Sequence, residues 1–197
     1  MTEPTSTAFL RVLDPADNST GGGSASAIAG AMAAALAAMV ARLSSPTAGG
    51  EPEVVYVEIA QAGAALAQGL MAGAEEDAAS FDAVMVAYRM PKETAEEKES
   101  RRAAILGAMI HATRVPLSNA GRCAAVLALA RQLEGRSNPR ARSDLQSAGH
   151  LARAGLLGCL ANVAINLPGV KDAAAAAEMA ARAASLRQVA LAWSDNA

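Results

Sequence analysis

The sequence predicts an all-α fold, and three observations carry that prediction. Apolar residues recur at helical spacing along the whole chain. No stretch alternates apolar and polar residues with β-branched enrichment and hairpin turns. About a quarter of the 197 residues are alanine, the strongest intrinsic helix former. The chain is 52% hydrophobic but only 3% aromatic, so its core is expected to be built from closely approaching helices with small side chains. One domain over residues 1–197 is expected, a bundle of about six main helices.

The elements follow in order. A short helix from Ser6 to Leu13 is stopped by Asp14 and Pro15, and a loop from Asn18 to Gly23 feeds a helix from Ser24 to Leu43. Pro46, Gly49, Gly50 and Pro52 break the chain between Ser44 and Glu53. A long helix from Val54 to Tyr88 ends at Met90-Pro91. Thr94 and Glu97 form a capping box for a charged helix running to Thr113. Pro116 is expected to open a separate helix that ends near Gly135. After the basic loop RSNPRARSD, Ser143 and Gln146 read as a second capping box, for a helix reaching Asn166. Pro168-Gly169 stops it, and a last helix spans Val170 to Trp193.

Composition narrows the function. Lys plus Arg total 17 and Asp plus Glu 19, a net charge of -2, which gives no reason to expect a nucleic-acid partner. Cys123 and Cys159 are isolated thiols without a CxxC pair, so neither a disulfide framework nor zinc is expected, and a reducing cytoplasm fits best. MTEPTSTAFL carries an acidic residue and no basic cluster, unlike a secretory leader. The alanine-rich run from Ser24 to Val40 is short for a span and gains little from Ala and Gly, so no membrane partner is expected. An apolar, alanine-lined helix in a chain with few aromatics is expected to bury a face against a second copy, giving a homodimer.

A few residues stand out from this background. Gly21, Gly22 and Gly23 precede a helix start, where main-chain N-H groups and the helix dipole favour an anion or a flat ring. A flexible turn is the alternative. Asp77 lies four residues before Phe81 on the stripe Phe81, Val84, Met85, Tyr88, which reads as a core-facing stripe. A carboxylate turned into a bundle is either paired with Lys or Arg, or desolvated and suited to proton transfer. Lys92 follows Met90-Pro91 at a helix junction, as a held cation or an ordinary surface lysine. Asn162 and Asn166 are one turn apart on an apolar helix and need partners for their amides, which backbone, a second copy or a polar ligand would supply. Asp144 beside Ser143 reads first as a helix-start charge. His111 and His150 lack metal-ligand spacing, so no metal is expected.

Taken in order, these motifs resemble a known family. STGGGSASAIAGAMAAALAAMVARLS looks like a glycine-rich loop and first long helix, and DAASFDAVMVAYRMPKETAEEKESR like an Asp-xx-small-Phe, Pro-Lys, Glu-Glu-Lys signature. Val115 to Leu117, NPRARSDL from Asn138 and NVAINLPGVKD from Asn162 follow in the same order. The family is the cyclodeaminase domain of formiminotransferase-cyclodeaminase together with the stand-alone methenyltetrahydrofolate cyclohydrolases.

The resemblance implies an all-helical dimer that takes a tetrahydrofolate derivative as substrate, with no permanently bound cofactor. It implies chemistry at the N5,N10 one-carbon bridge, most simply hydrolysis of methenyltetrahydrofolate to 10-formyltetrahydrofolate. The alternatives are ammonia-releasing ring closure of formiminotetrahydrofolate, or folate binding without turnover. It implies Asp77 as acid-base catalyst and Lys92 as a cation that orients Asp77 or lowers the cost of charge near the bridge. Gly21 to Ser24 would line the folate pocket, and Ser143, Asp144, Asn162 and Asn166 would read the polar edge of the pterin. The chain departs from the family at Thr20, where a proline is usual, and at PTAGGEPEVVY, which lacks the usual lysines.

Overall fold

A computed structural model describes residues 21–44 and 51–193. The expected helix at Ser6 to Leu13, most of the loop before Gly21 and part of the break after Ser44 lie outside the described residues. Five α-helices and two short 3-10 turns make up the described fold, with no strand among these residues. They are α1 (Gly22–Leu43), α2 (Glu53–Arg89), α3 (Ala95–Leu133), a turn at Pro139–Ala141, α4 (Arg142–Asn166), a turn at Leu167–Gly169, and α5 (Ala173–Leu191).

Helix α1 is the centre of the bundle, packed by α2, α4 and α3, while α5 covers α3 and α4. Its composition makes this possible. Ala27, Ala33 and Ala34 are fully buried against Leu70, Val126, Leu127, Leu156 and Leu160. Small residues let the axes close in: a Cβ on Gly155 of α4 would sit 2.7 Å from the Ser26 carbonyl oxygen of α1. Half of the alanine-lined helix is thus buried inside one chain. Three described helical runs, Gly22–Leu43, Glu53–Arg89 and Pro139–Gly169, are long and apolar enough to cross a membrane by length and composition. In α1, 56% of that apolar window is buried in the bundle.

Three expected boundaries are corrected. Pro116 does not open a helix but lies inside the 39-residue α3. A proline in a helix interior lacks the N-H that would bond the carbonyl four residues back, which normally breaks or kinks the helix. Here the released acceptor, Ala112 O, takes a hydrogen bond from Asn166 Nδ2 at 2.8 Å, so α3 runs on and the six expected main helices become five. Ser143 and Gln146 do not cap α4. That helix starts one residue earlier, at Arg142, on a 3-10 turn whose own cap is Asn138 Oδ1 accepting from Arg140 N-H at 3.0 Å. The Thr94–Glu97 capping box is present, with both reciprocal bonds. Helix α5 begins three residues later than expected because Asp172 caps it, accepting from Ala174 and Ala175 N-H.

The lengths of the helices shape the molecule. At 1.5 Å per residue α1 is about 33 Å long, and α2 and α3 exceed 55 Å. The end of α2 and the start of α3 consequently run past the bundle as a two-helix projection. Arg101 clasps it by donating to Tyr88 O at 3.1 Å from Nη2 and lying 5.8 Å from the Tyr88 ring centre. The stripe read as core-facing lies here and is open: Phe81 is 46% exposed, Met85 38% and Tyr88 49%.

Candidate functional site

Where α2 leaves the bundle it passes the first turn of α1, and the polar residues meet there. Helix α1 has Gly21 as its N-cap and neither a side-chain cap nor an acidic residue in its first turn. Its orphan N-H groups need an acceptor from elsewhere. Asp77 supplies it from α2, taking a hydrogen bond from Ser24 Oγ at 3.2 Å on Oδ2 and a second from the Ser24 backbone N-H. The Ser24 hydroxyl also lies 3.0 Å from Ala74 O, one turn back on α2.

Glycine is required at one position of the GGG run. A Cβ built on Gly23 would lie 2.4 and 2.6 Å from the two Asp77 carboxylate oxygens and 2.2 Å from Asn162 Nδ2. The carboxylate and the amide thus converge on the bare Gly23 backbone from opposite neighbours, α2 and α4. At Gly21 and Gly22 a Cβ would meet nothing within 4 Å among the described residues. Those two residues are exposed, and since their carbonyls accept from Ala25 N-H and Ser26 Oγ, it is their N-H groups that face a ligand.

Burial pushes the Asp77 carboxyl above its ordinary value, while the two Ser24 hydrogen bonds pull it partly back. No lysine or arginine forms an ion pair with it among the described residues. Of the two sequence readings, a buried salt bridge and a desolvated carboxylate, the second describes the observed surroundings. Such a group can exchange a proton with a molecule lying over Gly21 to Gly23, beside main-chain donors and an oriented amide.

The remaining candidates divide into two groups. Asn162 and Asn166 join the cluster: Asn166 Nδ2 donates to Asn162 Oδ1 at 3.2 Å as well as to Ala112 O. Lys92 is exposed beyond the end of α2, roughly 20 Å along the helix axis from Asp77. Ser143 and Asp144 open α4, roughly 28 Å from Asn162 along that helix. Within one chain the structure does not bring these three to Asp77.

Asn119 escaped the sequence reading. It is fully buried on α3 and donates from Nδ2 to Gly73 O at 3.0 Å, while Arg122 Nη1 donates to its Oδ1 at 2.9 Å. Gly73 O is the carbonyl four residues before Asp77, so α1 and α3 both grip the turn of α2 that carries the carboxylate. A polar residue in the middle of an apolar helix face was the available signal, the same one that marked Asn162.

Three comparisons bear on this arrangement. The family model described as formiminotransferase-cyclodeaminase matches residues 5–185. A methenyltetrahydrofolate cyclohydrolase of Methylorubrum extorquens is 38% identical over 175 residues, covering 86% of this chain and 82% of that protein. A formimidoyltransferase-cyclodeaminase of Sus scrofa is 37% identical over 114 residues, or 58% of this chain and 21% of the much longer pig protein. Among solved structures, a formiminotetrahydrofolate cyclodeaminase of Thermotoga maritima superposes with a TM-score of 0.83 at 24% identity, covering 95% of this chain and 90% of that one, and so shares the fold. With the family model matching nearly the whole chain, this protein belongs to the formiminotransferase-cyclodeaminase family.

Proposed function

We propose that this protein is a folate one-carbon enzyme, a methenyltetrahydrofolate cyclohydrolase, with Asp77 as its general acid and base. The observation that carries the reading is the unpaired, partly desolvated Asp77 carboxyl set against the glycine-rich start of α1. The Methylorubrum extorquens relative, similar over most of both chains, bears the name of this activity.

The chemistry suits that carboxyl. In methenyltetrahydrofolate the bridge carbon belongs to a cationic amidinium between N5 and N10. Asp77 takes a proton from the attacking water as its oxygen bonds to that carbon. The C-N5 bond of the tetrahedral adduct then breaks, Asp77 returns the proton to N5, and the hydroxyl proton leaves to solvent as the formyl C=O forms on N10. A carboxyl raised above its ordinary value is a stronger base for the first step, and it holds the proton that the second step returns to N5. The N-H groups at Gly21 and Gly22 would bind polar edges of the pterin, and Asn162 would lie beside Asp77 at the bridge. No resident cofactor or metal has a part in the scheme, and the cytoplasm is the proposed compartment.

Ring closure of formiminotetrahydrofolate is the second reading, favoured by the name of the pig relative. The same carboxyl would take the N10 proton and deliver it to departing ammonia. The two readings separate directly. Incubation with methenyltetrahydrofolate should speed the loss of its absorbance, corrected for spontaneous hydrolysis, while incubation with formiminotetrahydrofolate should release no ammonia. The reverse pattern would overturn the cyclohydrolase assignment.

We further propose that the protein is a homodimer formed through the α2–α3 projection. Phe81, Met85, Val86 and Tyr88 are large apolar side chains between 38% and 64% exposed on one short stretch. Lys92 sits at the tip of that projection, where a second copy would cover it.

A further inference from the structure

Asn162 and Asn166 read alike in the sequence, but the structure gives them different surroundings. Asn166 is the last residue of α4 and its side-chain NH2 is fully used, one bond to Ala112 O at 2.8 Å and one to Asn162 Oδ1 at 3.2 Å. A carboxamide NH2 carries two hydrogens, so none is left for a ligand. Asn162 has its oxygen turned to Asn166 and its NH2 turned to Gly23, where the Asp77 carboxylate also converges.

A chain of donors and acceptors fixes this orientation, and it begins at Pro116. Because Pro116 has no N-H, Ala112 O lacks its helical donor. A carbonyl only accepts, so it selects the NH2 end of Asn166. That same NH2 can only donate, so it selects the oxygen end of Asn162. What remains for Asn162 to present to Asp77 is a donor.

We propose, resting on the cyclohydrolase reading above, that Asn166 is a positioning residue: anchored on the carbonyl that Pro116 leaves free, it holds Asn162 with its NH2 facing Asp77 and the bridge of the bound folate. Without it, the Asn162 amide is free to turn its oxygen towards the carboxylate. Asn166 acts only through Asn162 and does not itself touch the pterin.

A double-mutant cycle with Asn162→Ala and Asn166→Ala tests this, with melting curves to confirm folding. Asn166→Asp, close in shape but without the amide donors, serves as a second variant should the alanine chain fail to fold. Each single change should lower kcat roughly tenfold, the loss of one oriented hydrogen bond, with KM little altered. The double variant should fall no further than Asn162→Ala alone. Additive losses, or an Asn166 effect confined to KM, would overturn the relay.

A second readout does not depend on turnover. The side-chain NH2 resonance of Asn162, assigned by its absence in Asn162→Ala, should shift and exchange faster with solvent in the Asn166 variants. An unchanged Asn162 resonance would refute the positioning role. If the wild type turned over neither folate, the cyclohydrolase reading would fall and this resonance alone would decide the role of Asn166.

Discussion

Asp77 acts in two ways at once, and they oppose each other in stability. Its carboxylate caps the orphan N-H groups of α1, which favours the charged form, but burial disfavours that form more. The folded state therefore binds the proton more tightly than the unfolded chain. Between the ordinary carboxylate pKa and the raised folded one, stability falls as pH rises, because the native state holds more protons there. Asp77→Asn keeps a capping oxygen and removes the charge. It should melt at or above the wild-type temperature at neutral pH, with the gap closing as pH falls into the ordinary carboxylate range. A neutral-pH melting temperature well below wild type would show that charge at this position is stabilising. Asp77 was legible in the sequence as a carboxylate out of place, but for a reason that needs amending. The stripe it was measured against is exposed, and the burial comes instead from the start of α1.

At the scale of elements, close helix contacts set the geometry of the site. Gly155 lets α4 cross α1 with no side chain between them, and the same crossing brings Asn162 to Gly23. Gly155→Ala would drive a Cβ to 2.7 Å from a backbone oxygen that cannot turn aside. The expected cost is about 1–3 kcal/mol of unfolding free energy, read as a lower denaturation midpoint at unchanged slope. No change in midpoint would mean that the helices separate freely. Helix existence and most boundaries followed from periodicity, proline and the Thr94–Glu97 box, all of which are local signals. Pro116 and Ser143 misled because their roles are settled at a distance. Asn166 satisfies the carbonyl that Pro116 frees, and the turn at Pro139–Ala141 starts α4 before Ser143 can cap it. The convergence of Gly23, Asp77 and Asn162 depends on the packing of three helices, so spacing along the chain could not reveal it.

At the scale of the whole molecule, the described chain has a well-filled bundle at one end and an apolar projection at the other. Just over half of the apolar window of α1 is buried inside the bundle. One apolar surface open to a partner is carried by the large residues past Asp77. If a second copy covers them, Phe81→Glu should convert a dimer of about 40 kDa into a monomer of half that mass by light scattering. A monomeric wild type, or a dimer unaffected by the change, would remove the projection from the interface. A dimer would also place Lys92 and the site of a neighbouring copy within one assembly, which a single chain does not do.

The most direct test of the central claim is the rate of methenyltetrahydrofolate hydrolysis near neutral pH, with wild type and Asp77→Asn side by side. Loss of a positioned general acid and base predicts a fall of about 10²- to 10⁴-fold in the enzymatic rate, in a variant that is folded by its melting curve. Asp77→Asn turning over at the wild-type rate would contradict the account.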